Sequence, residues 1–208
     1  MPEISDWHYG FGSYDAEQER VADFFELTKF TGTSWQAGTN SAEKKIGSLA
    51  LTPDGGRTAP TNTIAAIRRW VAPHDGEVSI EGDLKTTEMR GDGVHARLVS
   101  SRAGTLGEWT ATTNSVRTAV KSCGVKKGDT IDFMVDCRND ATGDTFKWSP
   151  LVTIVDAESK TAMMKAGQPT VWDARANFVD PAKLPQPLGP WEKLAQVLLL
   201  SNEFAFVD

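Results

Sequence analysis

Cysteine is scarce in this chain: two residues in 208, Cys123 and Cys137. No Cys-x-x-Cys can form, which removes zinc ribbons, thioredoxin-type redox pairs and c-type haem attachment. Both cysteines fall on one predicted hairpin, out of register. A disulfide and two buried free thiols both stay open, with the thiols as the default. Histidine is nearly as rare, and His8, His74 and His95 are too scattered in sequence to suggest a metal cluster. His-Glu-x-x-His, Gly-x-Ser-x-Gly and Gly-rich phosphate loops are absent, and with them the signatures of metalloproteases, serine hydrolases and nucleotide binders. No carboxylate pair stands out as a hydrolase site, because Asp75, Asp92 and Asp129 each neighbour a turn glycine, where Asp is favoured for backbone geometry alone. No apolar run approaches the roughly 20 residues of a membrane span. The opening MPEISDWHYG lacks the charged-then-apolar layout of a signal peptide. Basic residues cluster only as pairs, and the net charge is -6, with a pI of about 5.1. That balance argues against nucleic acid or an anionic membrane as the main partner.

What is present is a globular composition: 39% hydrophobic and 24% charged residues, with a mean hydropathy of -0.35. The middle of the chain alternates with period two. Ala65–Ala72 reads as a strand ended by Pro73. In Glu77–Leu84, Val78 and Ile80 oppose Glu77, Ser79, Glu81 and Asp83. In Val94–Ser100, Val94, Ala96 and Leu98 oppose His95, Arg97 and Val99. Gly107–Thr110, Val116–Val125, Thr130–Cys137 and Leu151–Val155 follow, with Ile131, Phe133 and Val135 predicted inward. Alternation of this kind means one wet and one buried face. Many short strands between Gly/Asp turns predict an all-β fold, an antiparallel β-sandwich of jelly-roll type. Residues 1–156 are expected to form it, with Asp23–Phe30 and Leu49–Thr52 as weaker strands.

Residues 157–208 change character. A polar arm with scattered Pro and Gly leads to Pro190–Asp208, which reads as one C-terminal α-helix. Trp191, Leu194, Ala195, Leu198 and Leu199 form its core-facing stripe, and Val197 and Leu200 widen it. So apolar a helix is expected to pack back on the sandwich or on a second copy, which makes the chain look like a piece of something larger.

Tryptophan is the compositional outlier, with seven residues against two tyrosines. Flat aromatic rings stack on the apolar C–H faces of sugars, and Arg, Asn, Gln and Asp serve the hydroxyls. Trp70 and Trp148 are assigned to packing. Trp35 and Trp109, in or next to Gly-rich loops, are the candidate stacking faces, with Gln36, Arg69, Arg97 and Arg102 as polar partners. The stretch DCRNDATGD (Asp136–Asp144) gathers carboxylates on one loop. Its plain reading is a solvated turn with Asx hydrogen bonds. If it holds an ion, the ion is Ca²⁺, bound by Asp136, Asp140 and Asp144, since hard oxygen ligands on a loop suit that cation.

Four blocks carry a family resemblance: WHYGFGSYD (Trp7–Asp15), AAIRRWVAPHDGEVSIEGDL (Ala65–Leu84), GDGVHARLVSSRAGTLGEW (Gly91–Trp109) and GDTIDFMVDC with DTFKWSP (Gly128–Pro150). They resemble the carbohydrate-binding-module-like sandwich of large planctomycete-type cytochrome proteins. The ending WEKLAQVLLLSNEFAFVD resembles the C-terminus of their PSD1 (DUF1553) domain. The resemblance implies an exported protein of the periplasm or cell envelope, engaged with polysaccharide, whose haem and PSD1 body lie outside this chain. No motif in it transfers binding residues one by one.

The leading expectation is therefore a non-catalytic module that binds polysaccharide or oligosaccharide within a multi-domain exported protein. It is expected to have no catalytic residues, no cofactor unless a structural Ca²⁺, no nucleic-acid partner and no membrane insertion. The alternatives are a structural domain that packs on the PSD1 body without a ligand, and a glycan-active enzyme with two carboxyl groups about 5–9 Å apart in a cleft.

Overall fold

The computed structural model describes residues 6–38, 46–88, 91–140, 142, 144–155 and 170–179, together with 191 and 194. In chain order the strands are β1 (Trp7–Asp15), β2 (Arg20–Glu26), β3 (Lys29–Phe30), β4 (Trp35–Gln36), β5 (Ala50–Thr52), β6 (Gly55–Arg57), β7 (Ala65–Val71), β8 (Gly76–Thr86), β9 (Val94–Ser100), β10 (Gly104–Ala111), β11 (Val116–Val125), β12 (Thr130–Asp136), β13 (Thr145–Lys147), β14 (Leu151–Val155) and β15 (Val171–Asp173). They form a six-stranded sheet, β10-β9-β12-β7-β1-β2, and a nine-stranded sheet, β15-β14-β8-β13-β6-β5-β4-β3, with β11 also on β8. Every pairing is antiparallel. The fold is the expected all-β antiparallel sandwich.

The inner faces follow the predicted alternation. Val94, Ala96 and Leu98 of β9, Ile131, Phe133 and Val135 of β12, and Val78 and Ile80 of β8 are all buried between the sheets. Trp70 and Trp148 are core residues, as expected. Burying each such side chain contributes about 1.5–3 kcal/mol. Both cysteines are buried free thiols. Arg68 departs from the pattern: it points inward and is 3% exposed. Its guanidinium donates to the Thr52 carbonyl at 2.6 Å and the Trp148 carbonyl at 3.3 Å. Burial pushes its pKa down to about 10. One side chain of the six-stranded sheet thus clamps the ends of β5 and β13 in the other.

β1 alternates Trp7, Tyr9 and Phe11 inward, but Gly10 and Gly12 obscure it in the sequence. Their outward faces are occupied: a Cβ on Gly12 would lie 1.8 Å from the Asp23 carbonyl oxygen, and one on Gly10 would lie 2.6 Å from the Phe24 ring. Only glycine lets β2 fold so closely over β1. Phe24, Tyr14 and Val21 thereby cover a second cluster, Ala65, Ile67, Val99 and Met134, on the outer side of the six-stranded sheet.

The sandwich runs further than residue 156. Its compact unit is Ser5–Phe178, because β15 pairs with β14 and buries Trp172, whose ring meets Trp70 at 5.1 Å. The Trp172 indole N–H donates to Asp6 at 2.7 Å. A three-residue strand among polar residues has no period to read, and one Trp anchors it. A second unit comprises residues 1–4 and 179–208. Of the predicted terminal helix, Trp191 and Leu194 are helical. The rest of that helix, its packing and most of the arm lie outside the described residues.

Candidate functional site

The short strands β4, β5, β6 and β13 build an open groove of about 560 Å³ on the outer face of the nine-stranded sheet. Register explains its shape. Gln36, Ala50, Arg57 and Thr145 oppose one another in one row across the four strands. Thr52, Gly55 and Lys147 form the next row. Side chains directly opposed across strands share a face, so the short Ala50 makes the floor, and Gln36, Arg57 and Lys147 rise around it. The intervening row, Trp35, Leu51, Gly56 and Phe146, points inward. The groove's frame is held by main-chain and buried groups: Trp148 N–H donates to the Asp54 carbonyl at 2.8 Å, Ser149 Oγ donates to the Pro53 carbonyl at 2.9 Å, and Arg68 closes the base.

The six binding residues expected from sequence do not meet. Trp35 and Gln36 are strand neighbours and must point to opposite faces. Gln36 lines the groove, whereas Trp35 stacks on Tyr9 at 5.9 Å and meets Phe30 at 5.2 Å. Trp109 packs on Trp148 at 6.3 Å and lies over Gly107, whose added Cβ would fall 2.5 Å from its ring. Both rings are half-buried against the core, which corrects their assignment as stacking faces. Arg69 and Arg97 lie on the outer face of the other sheet. Arg102 sits in a separate 320 Å³ hollow beside Glu19 and Arg20, bidentate to Asp129 at 2.6 and 3.0 Å. That hydrogen bond raises the Arg102 pKa and lowers that of Asp129.

The outer face of the six-stranded sheet carries two similar units. Arg69 is bidentate to the buried Asp132 at 2.6 and 3.0 Å and covers the Phe24 ring at 3.9 Å. Arg97 bonds Asp136 at 2.7 Å and Glu108 at 3.0 Å and covers the Tyr14 ring at 4.7 Å. His95 approaches Asp136 at 3.3 Å. Burial raises the Asp132 carboxyl above its ordinary range in spite of Arg69. These arginines are spent on packing and ion pairing. Tyr14, Phe24 and Asp132 carried no signal in the sequence, because the pairing that gathers them is non-local.

The acidic loop is also rearranged. Asp136 belongs to Arg97 and His95, and Asp140 accepts the Thr142 N–H at 2.9 Å in an Asx turn. Asp144 is 3% exposed, and neither of its side-chain oxygens has a hydrogen-bond partner. Burial, then the charges of Asp92 and Asp140, push its pKa up to about 7. Asp92, from the turn before β9, is the neighbour that sequence reasoning missed. Among the described residues, no three His, Cys, Asp or Glu side chains form a metal-holding group.

A further cleft of about 530 Å³ is bordered by Asp54, Glu81 and Asp83. Arg175 pairs with Asp54 at 2.9 Å and Arg117 with Glu81 at 2.7 Å, so two of its three carboxylates are neutralised by cations. Among the described residues lining the groove itself, Asp54 is the single carboxylate. Among the described residues, no helix is long and apolar enough to cross a membrane.

Comparison with protein-family models and with curated proteins finds no match. Among solved structures, the chain is similar to the PA14 domain of the MpAFP antifreeze protein, at 12% identity and a TM-score of 0.31 over 49% of this chain. It spans about half of that structure, 47% of its length. It is also similar to a PA14 sugar-binding domain from an RTX adhesin, at 9% identity and TM-score 0.34, over 81% of this chain and 96% of that one. A third similarity is to the C-terminal CBM6 of LamC from Zobellia galactanivorans, at 14% identity and TM-score 0.27, over 51% and 79% of the two chains. At such identities and TM-scores these matches assign no residue of this chain a role.

Proposed function

We propose that this chain is a non-catalytic carbohydrate-binding module that holds a polysaccharide or oligosaccharide in the groove over β4, β5, β6 and β13, as one domain of a larger exported protein. The groove carries the reading. Amide, hydroxyl, guanidinium and ammonium groups (Gln36, Thr52, Thr145, Arg57 and Lys147) surround a floor of small residues, which suits a ligand that presents many hydroxyls on a compact ring. Among the described lining residues, one Arg-paired carboxylate supplies no acid and base for glycoside cleavage. The resemblance of the four sequence blocks supports the glycan and the export.

The test is polysaccharide retention over a broad panel, with thermal melting as the control. Gln36→Ala and Arg57→Ala should each weaken retention roughly 5-fold, the loss of about 1 kcal/mol of hydrogen bonding. Arg57 is exposed, so Arg57→Ala should stay within about 0.5 kcal/mol of wild-type stability, whereas Gln36 is half-buried and donates to Ser34 Oγ at 2.9 Å, so Gln36→Ala should cost about 1 kcal/mol. No reducing ends should appear in the retained glycan. The inward rings of Trp35 and Trp109 favour a second reading, a domain that packs on its neighbours without a ligand. Failure of the wild-type chain to retain any glycan would decide for it.

A further inference from the structure

The turn before β9 and the loop after β12 meet around oxygen atoms. Gly91 holds φ at +95°, and its missing Cβ leaves a cradle: that position lies 2.2 Å from the Thr142 carbonyl oxygen and 3.5 Å from Asp144 Oδ1. Asp144 is 97% buried, being 3% exposed, and both its carboxylate oxygens lack a partner, as does Asp92 Oδ1. The other Asp92 oxygen is used: Asn139 donates to it from its backbone N–H at 3.2 Å and its side chain at 3.1 Å. Arg138 is the nearby cation, but its guanidinium donates to the Asp92 backbone carbonyl and not to a carboxylate of the pair. Its own backbone is left-handed, at φ 55°, so the loop is held in a costly conformation while Asp144 stays without a hydrogen-bond donor.

A buried carboxylate without donors is expensive to keep. Arg138 is the one described cation that eases the Asp144 charge, and no described side chain donates a hydrogen bond to it. We infer that Asp144, Asp92 and the Thr142 carbonyl bind a divalent cation of the Ca²⁺ type, tying the turn before β9 to the loop after β12. Irregular oxygen coordination with several protein oxygens, main-chain carbonyls among them, suits Ca²⁺, whereas Mg²⁺ demands a near-ideal octahedron and holds on to most of its waters. The ligand set differs from the one read off the loop alone. Asp136 is replaced by Asp92, and Asp140 stands beside the site, fixing Thr142 through its Asx turn. The site shares no lining residue with the glycan groove, although Asp144 directly precedes Thr145 and its carbonyl accepts the Thr58 N–H at 3.2 Å.

The experiment uses the full chain at pH 7.5, dialysed against EDTA and then melted with CaCl₂, with MgCl₂ or with neither, alongside elemental analysis for bound calcium. Saturating Ca²⁺ should raise the melting temperature by about 5 °C or more, with a clearly smaller rise for Mg²⁺ and about one calcium retained per chain. Asp144→Asn and Asp92→Asn should each abolish the Ca²⁺ response. In EDTA, Asp144→Asn should melt no lower than wild type, since Asn keeps the shape and removes an unpaired buried charge. That comparison separates loss of the ion from loss of the fold. A wild-type chain that holds no calcium and melts alike in all three conditions overturns the inference, as does a Ca²⁺ response preserved in both variants.

Discussion

Asp132→Ala is expected to remove about 3–5 kcal/mol of folding stability, the cost of stripping a buried ion of its partner. Asp132 is 2% exposed on β12, and it alone among the described carboxylates holds the Arg69 guanidinium, through two hydrogen bonds. Arg69 in turn sits 3.9 Å over the Phe24 ring, which helps seal the outer cluster of Ile67, Val99 and Met134. Without Asp132 the cation must stay unpaired or swing out to water, and Phe24 loses its cover. The pair itself is not a strong source of stability. Burial raises the Asp132 carboxyl even with Arg69 beside it, so the charged form is less comfortable there than in water. The double replacement Arg69→Leu with Asp132→Leu should therefore recover most of the loss, and apolar pairs in such places are often neutral or stabilising. Urea denaturation of the three proteins reads this directly. A loss below about 1 kcal/mol for Asp132→Ala would mean that solvent screens the pair as it does an ordinary surface bridge.

Trp35→Ala should cost a comparable 3–5 kcal/mol, roughly the penalty for truncating a packed aromatic. The indole lies in the inward row with Leu51, Gly56 and Phe146, stacked on Tyr9 and against Phe30. Removing it opens a cavity beneath the two-residue strand that presents Gln36. Chemical denaturation should show the drop, with the midpoint falling and the slope unchanged. A ring serving as a sugar platform would behave the other way, with the melt holding while retention collapsed. Equal stability in Trp35→Ala would restore that ring to the binding face and remove the groove's claim to the glycan.

The same strand shows what was legible from residues alone. In β7, β8, β9, β11, β12 and β14, the alternation is long enough to declare which side faces the core. Leu98, Phe133 and Ile80 sit where period two puts them, and the sandwich class follows from the same reading, whereas the cysteines, left open by the sequence with free thiols as the default, are free in the structure. The groove is made instead from strands of two or three residues. A strand that short has no period, so neither its existence nor its outward face can be read from it. Gly10 and Gly12 hid β1 for a related reason: what they make room for is a neighbour, not a feature of their own segment.

The sequence by itself determined the class of fold and the inward set of the long strands, because composition and local period are properties of neighbouring residues. Only the tertiary structure decided that Trp35 and Trp109 face inward, that Gln36 shares a row with Arg57 and Thr145, that Arg69 belongs to Asp132, and that Asp92 meets Asp144. Each of these depends on strand order and register, which bring together residues far apart in the chain, and a one-residue slip in register would exchange the faces.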